Sequence, residues 1–215
     1  MTGKFRIRLS SIEPAYVNDE LIEMMRKSEK LCKHLHMPLQ SADERILRLM
    51  KRNYSAARFL KIVKRARKKM PDMALNTDLL AGFPGENEKA FNNTVKFIQL
   101  IRPSRLHVFS YSPRPGTGAQ SLGGAVGKVL KRERVHALRA LGKKFSIDFA
   151  RTFIGKKDLV LVESEPDRAT GYLTGYTDRY VRVLFKGPDS LKGKLASVVI
   201  KSIEEKTHAV FADIA

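Results

Sequence analysis

The chain has 215 residues, of which 43% are hydrophobic and 29% charged, enough for one large globular domain or two of ordinary size. No apolar run approaches the ~18–20 residues that a membrane span requires, and the N-terminus has no apolar signal core, so neither a membrane protein nor a secreted one is expected. One cysteine, Cys32, excludes an intramolecular disulfide and favours a cytoplasmic location.

The net charge of +19, from 41 Lys and Arg against 22 Asp and Glu, favours a polyanionic partner over a merely soluble surface. Nucleic acid and an anionic membrane surface both fit that description. Residues 1–153 hold 31 of the basic and 13 of the acidic residues, whereas residues 154–215 are nearly neutral. Residues 45–69 contain 11 basic residues and no acidic one. The attraction is therefore expected on helices of the first part.

The first predicted elements are a strand and a helix. Residues 5–12 alternate between apolar and polar side chains until Pro14 breaks the pattern, which predicts a strand. Residues 18–31 have helical spacing of apolar side chains, with Asn18 as a suitable N-cap and acidic residues in the first turn.

A second strand is predicted over residues 34–40, interrupted by Pro38. The S-x-x-E sequence of residues 41–44 predicts a capping box at the start of the next helix. A further helix covers residues 53–70, with an apolar stripe on one side and lysines and arginines on the others.

Strands and helices continue to alternate in the rest of the first part. The patterns predict a strand over 73–83, a helix over 87–101, a strand over 104–112, a Gly/Pro-rich loop over 113–127 and a helix over 128–153. This alternation predicts βαβ units and a parallel sheet, in which ligand sites lie at the C-terminal ends of the strands. The predicted class of this part is α/β.

The pattern changes after Gly155. Five short β-rich runs, spaced by Gly, Pro and Asp turns, follow within about 60 residues and predict a small all-β barrel. The expected domains are therefore residues 1–153 and residues 154–215.

Five stretches, taken together, resemble the tRNA methylthiotransferases of the radical-SAM superfamily. They are RIRLSSIEP (6–14), HLHMPLQSADERILRLMKRNYS (34–55), TDLLAGFPGE (77–86), LHVFSYSPRPGT (106–117) and GYTDRYVRVLFKG (175–187). The first and last are most similar to the branch that acts on N6-threonylcarbamoyladenosine beside the anticodon. The final 62 residues resemble that family's TRAM domain, a small RNA-binding β-barrel.

The resemblance implies a fold and cofactors. Residues 1–153 would be the C-terminal part of a partial radical-SAM (β/α) barrel without its first strands and cluster loop, and residues 154–215 a TRAM barrel. Such enzymes use S-adenosylmethionine (SAM) and two [4Fe-4S] clusters. Clusters are held by several cysteine thiolates, and this sequence has one cysteine.

The cysteine count leads to an expectation about activity. The chain is expected to be a fragment that supplies SAM and tRNA binding without catalysis, so no catalytic residue is assigned. Its expected partner is the anticodon region of tRNA. A truncated gene, a misplaced start and a split enzyme each explain the missing cysteines, and in the last case a separately encoded N-terminal half is a further partner. The alternative is a non-catalytic tRNA- or RNA-binding protein derived from the same fold.

The resemblance places the SAM site at the ends of the strands. Ser41 there also fits a helix N-cap, and the GFPGE stretch of residues 82–86 also fits an ordinary turn between a strand and a helix. Arg114 suits a phosphate or carboxylate of the cofactor. The expected SAM-binding residues are Gln40, Ser41, Gly82, Phe83, Pro84, Gly85, Val108, Phe109, Tyr111 and Arg114.

Two sets of residues are expected to bind RNA. Basic helices without acids suit the phosphate backbone, although a solvated helix face also explains them. Aromatic and basic residues interleaved on short strands suit stacking on unpaired bases, with ordinary barrel packing as the alternative. The helical set is Arg45, Arg48, Lys51, Arg52, Lys61, Lys64, Arg65 and Lys68. The barrel set is Tyr172, Thr174, Tyr176, Arg179, Tyr180 and Arg182.

Cys32, His34 and His36 form a C-x-H-x-H sequence. Alternation along a strand would place the three side chains on one face. A zinc site, however, needs about four converging ligands, and no second group of Cys and His follows. Cys32 is expected to be a buried thiol at the end of the preceding helix, and no metal ligand is predicted.

Overall fold

The computed structural model describes residues 5–204 and 206–215. In these residues the first part contains three strands, β1 (His34–His36), β2 (Ala74–Ala81) and β3 (Arg105–Ser110). Its helices are α1 (Asp19–Lys27), α2 (Glu44–Leu49), α3 (Ala56–Lys69), α4 (Glu88–Ile101) and α5 (Lys128–Arg151). The second part contains β4 (Lys157–Val162), β5 (Leu173–Tyr176), β6 (Arg182–Phe185), β7 (Leu195–Ile203) and β8 (Val210–Ile214).

The first part is a parallel sheet in the order β1-β2-β3, covered by helices. Apolar side chains on one face of the strands, among them Leu35, Leu75 and Leu79, pack with the inner faces of the helices in one core. The opposite face carries the alternate side chains, among them His36 and Asp78. The α/β class with a parallel sheet is confirmed.

Helix α3 illustrates why the basic stretch folds as it does. Phe59, Ile62, Val63 and Ala66 recur at helical spacing and are buried, so the stripe docks on the core while the lysines remain in solvent. Ser55 caps the helix by accepting a hydrogen bond from the amide of Arg58 at 3.1 Å. The cap offsets the absence of acidic residues in the first turn.

The strand predicted over residues 5–12 is wrong. In the part of the chain that the structure describes, this segment makes two isolated parallel bridges, Ile7 to Leu31 and Ser11 to His36, without a continuous ladder. Arg6 instead reaches the second part, where it donates to the carbonyls of Tyr176 at 3.1 Å and Leu159 at 2.8 Å. Tertiary contacts of the arginine therefore outweigh the alternating pattern.

The second part is a closed five-stranded barrel in the order β4-β5-β6-β8-β7, which confirms the predicted small all-β barrel. Neighbouring strands are antiparallel except for β6 and β8. Gly175 permits a close crossing, since a Cβ there would lie 2.3 Å from the carbonyl oxygen of Leu161.

Helix α5 belongs to both parts. Val135 and Leu138 pack in the core of the sheet, whereas Ala150 and Phe153, at the end of the helix, pack in the core of the barrel. Gly142 lets the helix approach β3, because a Cβ there would lie 2.7 Å from the Cβ of Leu106. None of the helices within residues 5–204 and 206–215 combines the length and apolar character that crossing a membrane requires.

Candidate functional site

The C-terminal ends of β1 and β2 meet at Gln40. Pro38 has no N–H to donate, so the ladder of β1 is interrupted there. The amides of Leu39 and Gln40 then donate to the carbonyl of Asp78 at 3.2 and 2.8 Å. The carbonyl of Gln40 in turn accepts from the amide of Leu80 at 2.9 Å. Gln40 has a φ of +64°, a left-handed conformation that is costly for a non-glycine residue. The turn is thus held by the sheet on both sides.

Ser41 is buried but is not the N-cap of α2. Its Oγ accepts a hydrogen bond from the amide of Asp43 at 3.2 Å and lies 3.3 Å from the hydroxyl of Thr94. The cap is Asp43, whose Oδ1 accepts from two amides of the first turn. The predicted capping box is wrong, because Glu44 uses its carboxylate to accept from the amide of Ala56 at the start of α3.

Residues 82–86 form a tight turn between β2 and α4. Gly82 and Gly85 have φ values of +76° and +84°, which glycine adopts without the strain of a Cβ. The amide of Gly82 donates to the carboxylate of Glu86 at 2.9 Å, and the amide of Gly85 donates to the carbonyl of Gly124 at 2.8 Å. Arg45 donates to the carbonyl of Gly85. Both ends of the turn are therefore fixed.

Glu86 and Arg134 form a buried ion pair behind this turn. Both side chains are 3% exposed, and Nη1 of Arg134 donates to Oε1 of Glu86 and to its carbonyl oxygen, each at 2.8 Å. Burial raises the pKa of Glu86, although the amide of Gly82 and the charge of Arg134 oppose the rise. Glu86 acts as a structural anchor of the turn.

Two aromatic rings stand beside the turn. Phe83 is buried and meets Tyr111 edge to face with 5.2 Å between ring centroids. The amide of Tyr111 donates to the carbonyl of Ala81 at 2.8 Å, which extends the β2–β3 pairing by one bond. In the described chain the buried hydroxyl of Tyr111 has no hydrogen-bond partner. Such an orphaned group suits a polar ligand atom.

A cavity of 500 Å³ opens at the same edge. Gln40 and Phe83, two of the predicted SAM-binding residues, line it, and so do Lys51 and Arg52 of the predicted RNA-binding set. The other residues of the cavity wall were not predicted from the sequence. Three of them belong to the Gly/Pro-rich loop after β3, whose composition predicted a loop but no ligand contact. The full set of these other residues is Leu49, Met50, Leu80, Gly118, Ala119 and Leu122.

The remaining predicted SAM-binding residues lie in different environments. Val108 is buried in the core on the helix side of the sheet, and Phe109, on the opposite side, is 54% exposed. Arg114 is exposed in the loop that follows β3. Of the ten predicted SAM-binding residues, only Gln40 and Phe83 line the cavity, and Tyr111 packs against Phe83. The predicted residues outside the cavity wall are Ser41, Gly82, Pro84, Gly85, Val108, Phe109, Tyr111 and Arg114.

Two members of the helical RNA-binding set are partly buried in ion pairs, and the other members are exposed. Arg52 pairs with Glu13 at 2.9 Å, and Arg65 pairs with Asp19 at 2.9 Å. The exposed members are Arg45, Arg48, Lys51, Lys61, Lys64 and Lys68. These side chains lie on α2, on α3 and between the two helices, and their contact with RNA phosphates stays a prediction.

Three of the six residues of the barrel set lie at the junction between the two parts. Tyr176 stacks on Tyr180 with 4.5 Å between centroids, and Arg8 lies over the ring of Tyr180 at 4.3 Å. Arg179 pairs with Asp72 at 2.5 Å. Tyr180 and Arg179 therefore contact residues of the first part, and their contact with RNA stays a prediction.

The other barrel residues are engaged within the barrel. Tyr172 meets Phe211 edge to face at 6.1 Å, and Thr174 is buried. Arg182 pairs with Asp167 at 2.9 Å, which lowers the pKa of that carboxyl to about 2.

The C-x-H-x-H sequence does not form one cluster. Cys32 is buried, as predicted, but it lies beyond α1, which ends at Lys27. Burial raises the pKa of the Cys32 thiol. His34 is fully buried, and its ring centroid lies 5.2 Å from that of Tyr180. His36 instead contacts Asp78, at 2.9 Å from Nε2 to Oδ1.

Comparison with known proteins finds a matching family model and several relatives named as tRNA-modifying enzymes. Residues 2–98 match the model of the Radical SAM superfamily. The chain is 37% identical over 204 residues to a threonylcarbamoyladenosine tRNA methylthiotransferase of Thermotoga maritima, covering 95% of this chain and 46% of the relative. A protein of the same name from Bacillus subtilis is 38% identical, over 92% of this chain and 44% of the relative.

Relatives with a second name match at similar levels. A tRNA-2-methylthio-N(6)-dimethylallyladenosine synthase of Parafrankia is 40% identical, over 89% of this chain and 40% of the relative. Among solved structures, coproporphyrinogen III oxidase of Escherichia coli, described as a radical SAM enzyme, aligns with a TM-score of 0.54 at 21% identity. That alignment covers 65% of this chain and 32% of the oxidase, and it shows a shared fold alone. The chain spans less than half the length of these curated relatives.

Proposed function

We propose, on the premise that this chain belongs to the radical-SAM tRNA methylthiotransferases, that it binds SAM and tRNA for the methylthiolation of N6-threonylcarbamoyladenosine beside the anticodon. The similarity along 92–95% of the chain to proteins named for that reaction carries the proposal. Relatives named for dimethylallyladenosine are comparably similar. The choice of threonylcarbamoyladenosine therefore rests on the SSIEP and GYTDRYVRVLFKG stretches.

We assign SAM to the 500 Å³ cavity at the ends of the strands, whose size falls within the ~300–1,000 Å³ typical of small-molecule sites. The residues present fit it. Gln40 and Phe83 line the cavity and offer a side-chain amide and an aromatic ring. Tyr111, packed against Phe83, offers a hydroxyl without a hydrogen-bond partner among the described residues. In the proposed reaction SAM supplies the methyl group.

The residues present do not fit an iron–sulfur cluster. A [4Fe-4S] cluster needs several cysteine thiolates, and Cys32, the one cysteine of the sequence, is buried. We therefore propose that the chain supplies binding without cluster chemistry. Cluster thiolates for the complete reaction would then come from outside these 215 residues, and a separately encoded half is the partner that co-purification can test.

We further propose that residues 154–215 are a TRAM domain that contacts RNA and that the protein acts in the cytoplasm. The closed barrel supports this domain assignment by its strand number and size. The near-neutral charge of the barrel favours recognition by shape and stacking, while the exposed lysines of α3 supply the electrostatic attraction.

Calorimetry with SAM and filter binding with tRNA test the two halves of the proposal. We expect one equivalent of SAM to bind and Tyr111→Phe, which removes one hydroxyl, to weaken it about 3- to 10-fold, the value of one hydrogen bond. Tyr16→Phe, at a 73% exposed position, is the matched control. Binding of tRNA without SAM would favour the alternative, a non-catalytic RNA-binding protein, and binding of neither would refute both.

A further inference from the structure

Three strands bring one carboxylate and two imidazoles together on the face of the sheet opposite the helices. Asp78 pairs in register with His107, and His36 pairs with Asn76, so the three side chains emerge on the same side. Oδ1 of Asp78 lies 2.9 Å from Nε2 of His36 and 3.0 Å from Nδ1 of His107. Of all described residues, this is the group of three whose metal-ligating atoms lie within 4.8 Å of one another.

The donor set and its spacing suit a transition metal. Two histidines and one carboxylate on one side of an ion are typical ligands of Zn²⁺ and of non-haem Fe²⁺, and they leave positions open for water or a substrate. Ligand atoms about 2.1 Å from an ion are about 3.0 Å apart at right angles, as in a facial Fe²⁺ triad, and about 3.4 Å apart in a tetrahedral Zn²⁺ site. The distances from Asp78, 2.9 and 3.0 Å, are close to the first value and need to lengthen by about 0.4–0.5 Å for the second.

The charge and exposure of the cluster also suit a cation. A carboxylate supplies a negative charge, and each neutral imidazole has one ring nitrogen that can bind an ion while the other carries the proton. The side chains of His36, Asp78 and His107 are 14%, 16% and 35% exposed, so an ion can reach them.

We propose that His36, Asp78 and His107 form a mononuclear site for a divalent transition metal ion of the Zn²⁺ and Fe²⁺ class. Along β2 the cluster lies beside the SAM cavity, since Leu80, two residues after Asp78, lines that cavity. None of the three proposed ligands is part of the cavity wall. The proposal therefore stands independently of SAM binding. The competing interpretation is a metal-free His–Asp–His hydrogen-bonded triad.

Titration of the tag-free, EDTA-treated full chain with Co²⁺ distinguishes the two. Co²⁺ serves as a spectroscopic probe of the site, and Zn²⁺ calorimetry measures its stoichiometry. We expect one equivalent to bind, with ligand-field absorption bands that Zn²⁺ then abolishes. Zn²⁺ should also raise the melting temperature, because it binds the folded state.

Variants of the ligands provide the decisive comparison. Asp78→Asn keeps the size and the acceptor oxygen of the side chain, so the hydrogen-bonded triad and the fold can persist while the anionic ligand is lost. We expect Asp78→Asn and His107→Gln each to weaken Zn²⁺ binding by at least about 100-fold, since even outer-shell partners cost ~10–100-fold. His136→Ala, at an exposed position on α5, should leave binding unchanged. Absence of ligand-field bands in the parent chain, or equal Zn²⁺ affinity in parent and Asp78→Asn, would overturn the metal site.

Discussion

Removing Arg134 should reveal how strongly the buried ion pair stabilises the turn at residues 82–86. Arg134→Met keeps the aliphatic volume but leaves the carboxylate of Glu86, 3% exposed, with the amide of Gly82 as its remaining donor among the contacts described above. Loss of one partner of a buried pair costs about 3–5 kcal/mol. Because a domain of this kind is stable by ~5–15 kcal/mol, the change should move the urea midpoint substantially.

The pH dependence of that loss carries the sharper test. Burial already raises the pKa of Glu86 above its ordinary value of 4.5, and loss of Arg134 should raise it further. The folded variant then binds more protons than the unfolded chain, so its stability falls as pH rises above about 4.5. The difference in unfolding free energy between parent and variant should therefore be small at pH 5 and large at pH 8.

Urea unfolding followed by circular dichroism at both pH values measures this difference. Glu86→Gln combined with Arg134→Met should recover part of the loss at pH 8, because the buried charge is gone. Arg132→Met, at an exposed position of the same helix, is the matched control. A loss below about 1 kcal/mol at pH 8, or the same loss at pH 5, would show that the pair is not the anchor of the turn.

Three further changes test separate features of the molecule. Gly82→Ala should destabilise by more than the ~1–2 kcal/mol expected for a left-handed non-glycine residue, since its Cβ would lie 2.2 Å from Cγ of Lys131. Gly116→Ala, at φ +78° with open space around it, isolates the strain alone, and equal losses would exclude the steric contribution. Gly142→Val should cost about 1–3 kcal/mol in urea unfolding by pushing α5 away from Leu106, and Leu106→Ala in the same chain should not add its full separate cost. Replacing Lys61, Lys64 and Lys68 by Ala should lower tRNA affinity in filter binding and reduce the salt slope by about one per phosphate contact. The same substitutions at Lys89 and Lys96 of α4 should change both quantities less, and an equal effect would refute the assignment to α3.

Elements with long, regular patterns could be predicted from the sequence. Strand β2 and helices α3 and α4 follow their apolar periodicity because they bury one stripe or face against a common core. The segment at residues 5–12 has an equally clear alternation but makes two isolated bridges without a ladder, and its Arg6 contacts the barrel. Local periodicity contains no information about such long-range contacts.

The candidate site was predictable at its glycines and much less so at its walls. The turn after β2 requires positive φ, so Gly82 and Gly85 are visible in the sequence. Leu122, by contrast, lies in an irregular loop, and its position at the cavity depends on the path of that loop, which has no periodic sequence pattern. The grouping of His36 with Asp78 and His107 depends on strand register, which no single stretch of sequence encodes.

The core of the barrel includes residues that precede residue 154, where the second domain was expected to begin. Phe153 lies on the N-terminal side of the expected division yet is 4% exposed within the barrel core. A polypeptide starting at residue 154 would leave an unfilled socket there, comparable with a Phe→Ala cavity that costs ~3–5 kcal/mol. The 24-residue helix thus contributes side chains to both cores. Unfolding of one core should therefore destabilise the other, and the two should unfold in a single cooperative transition.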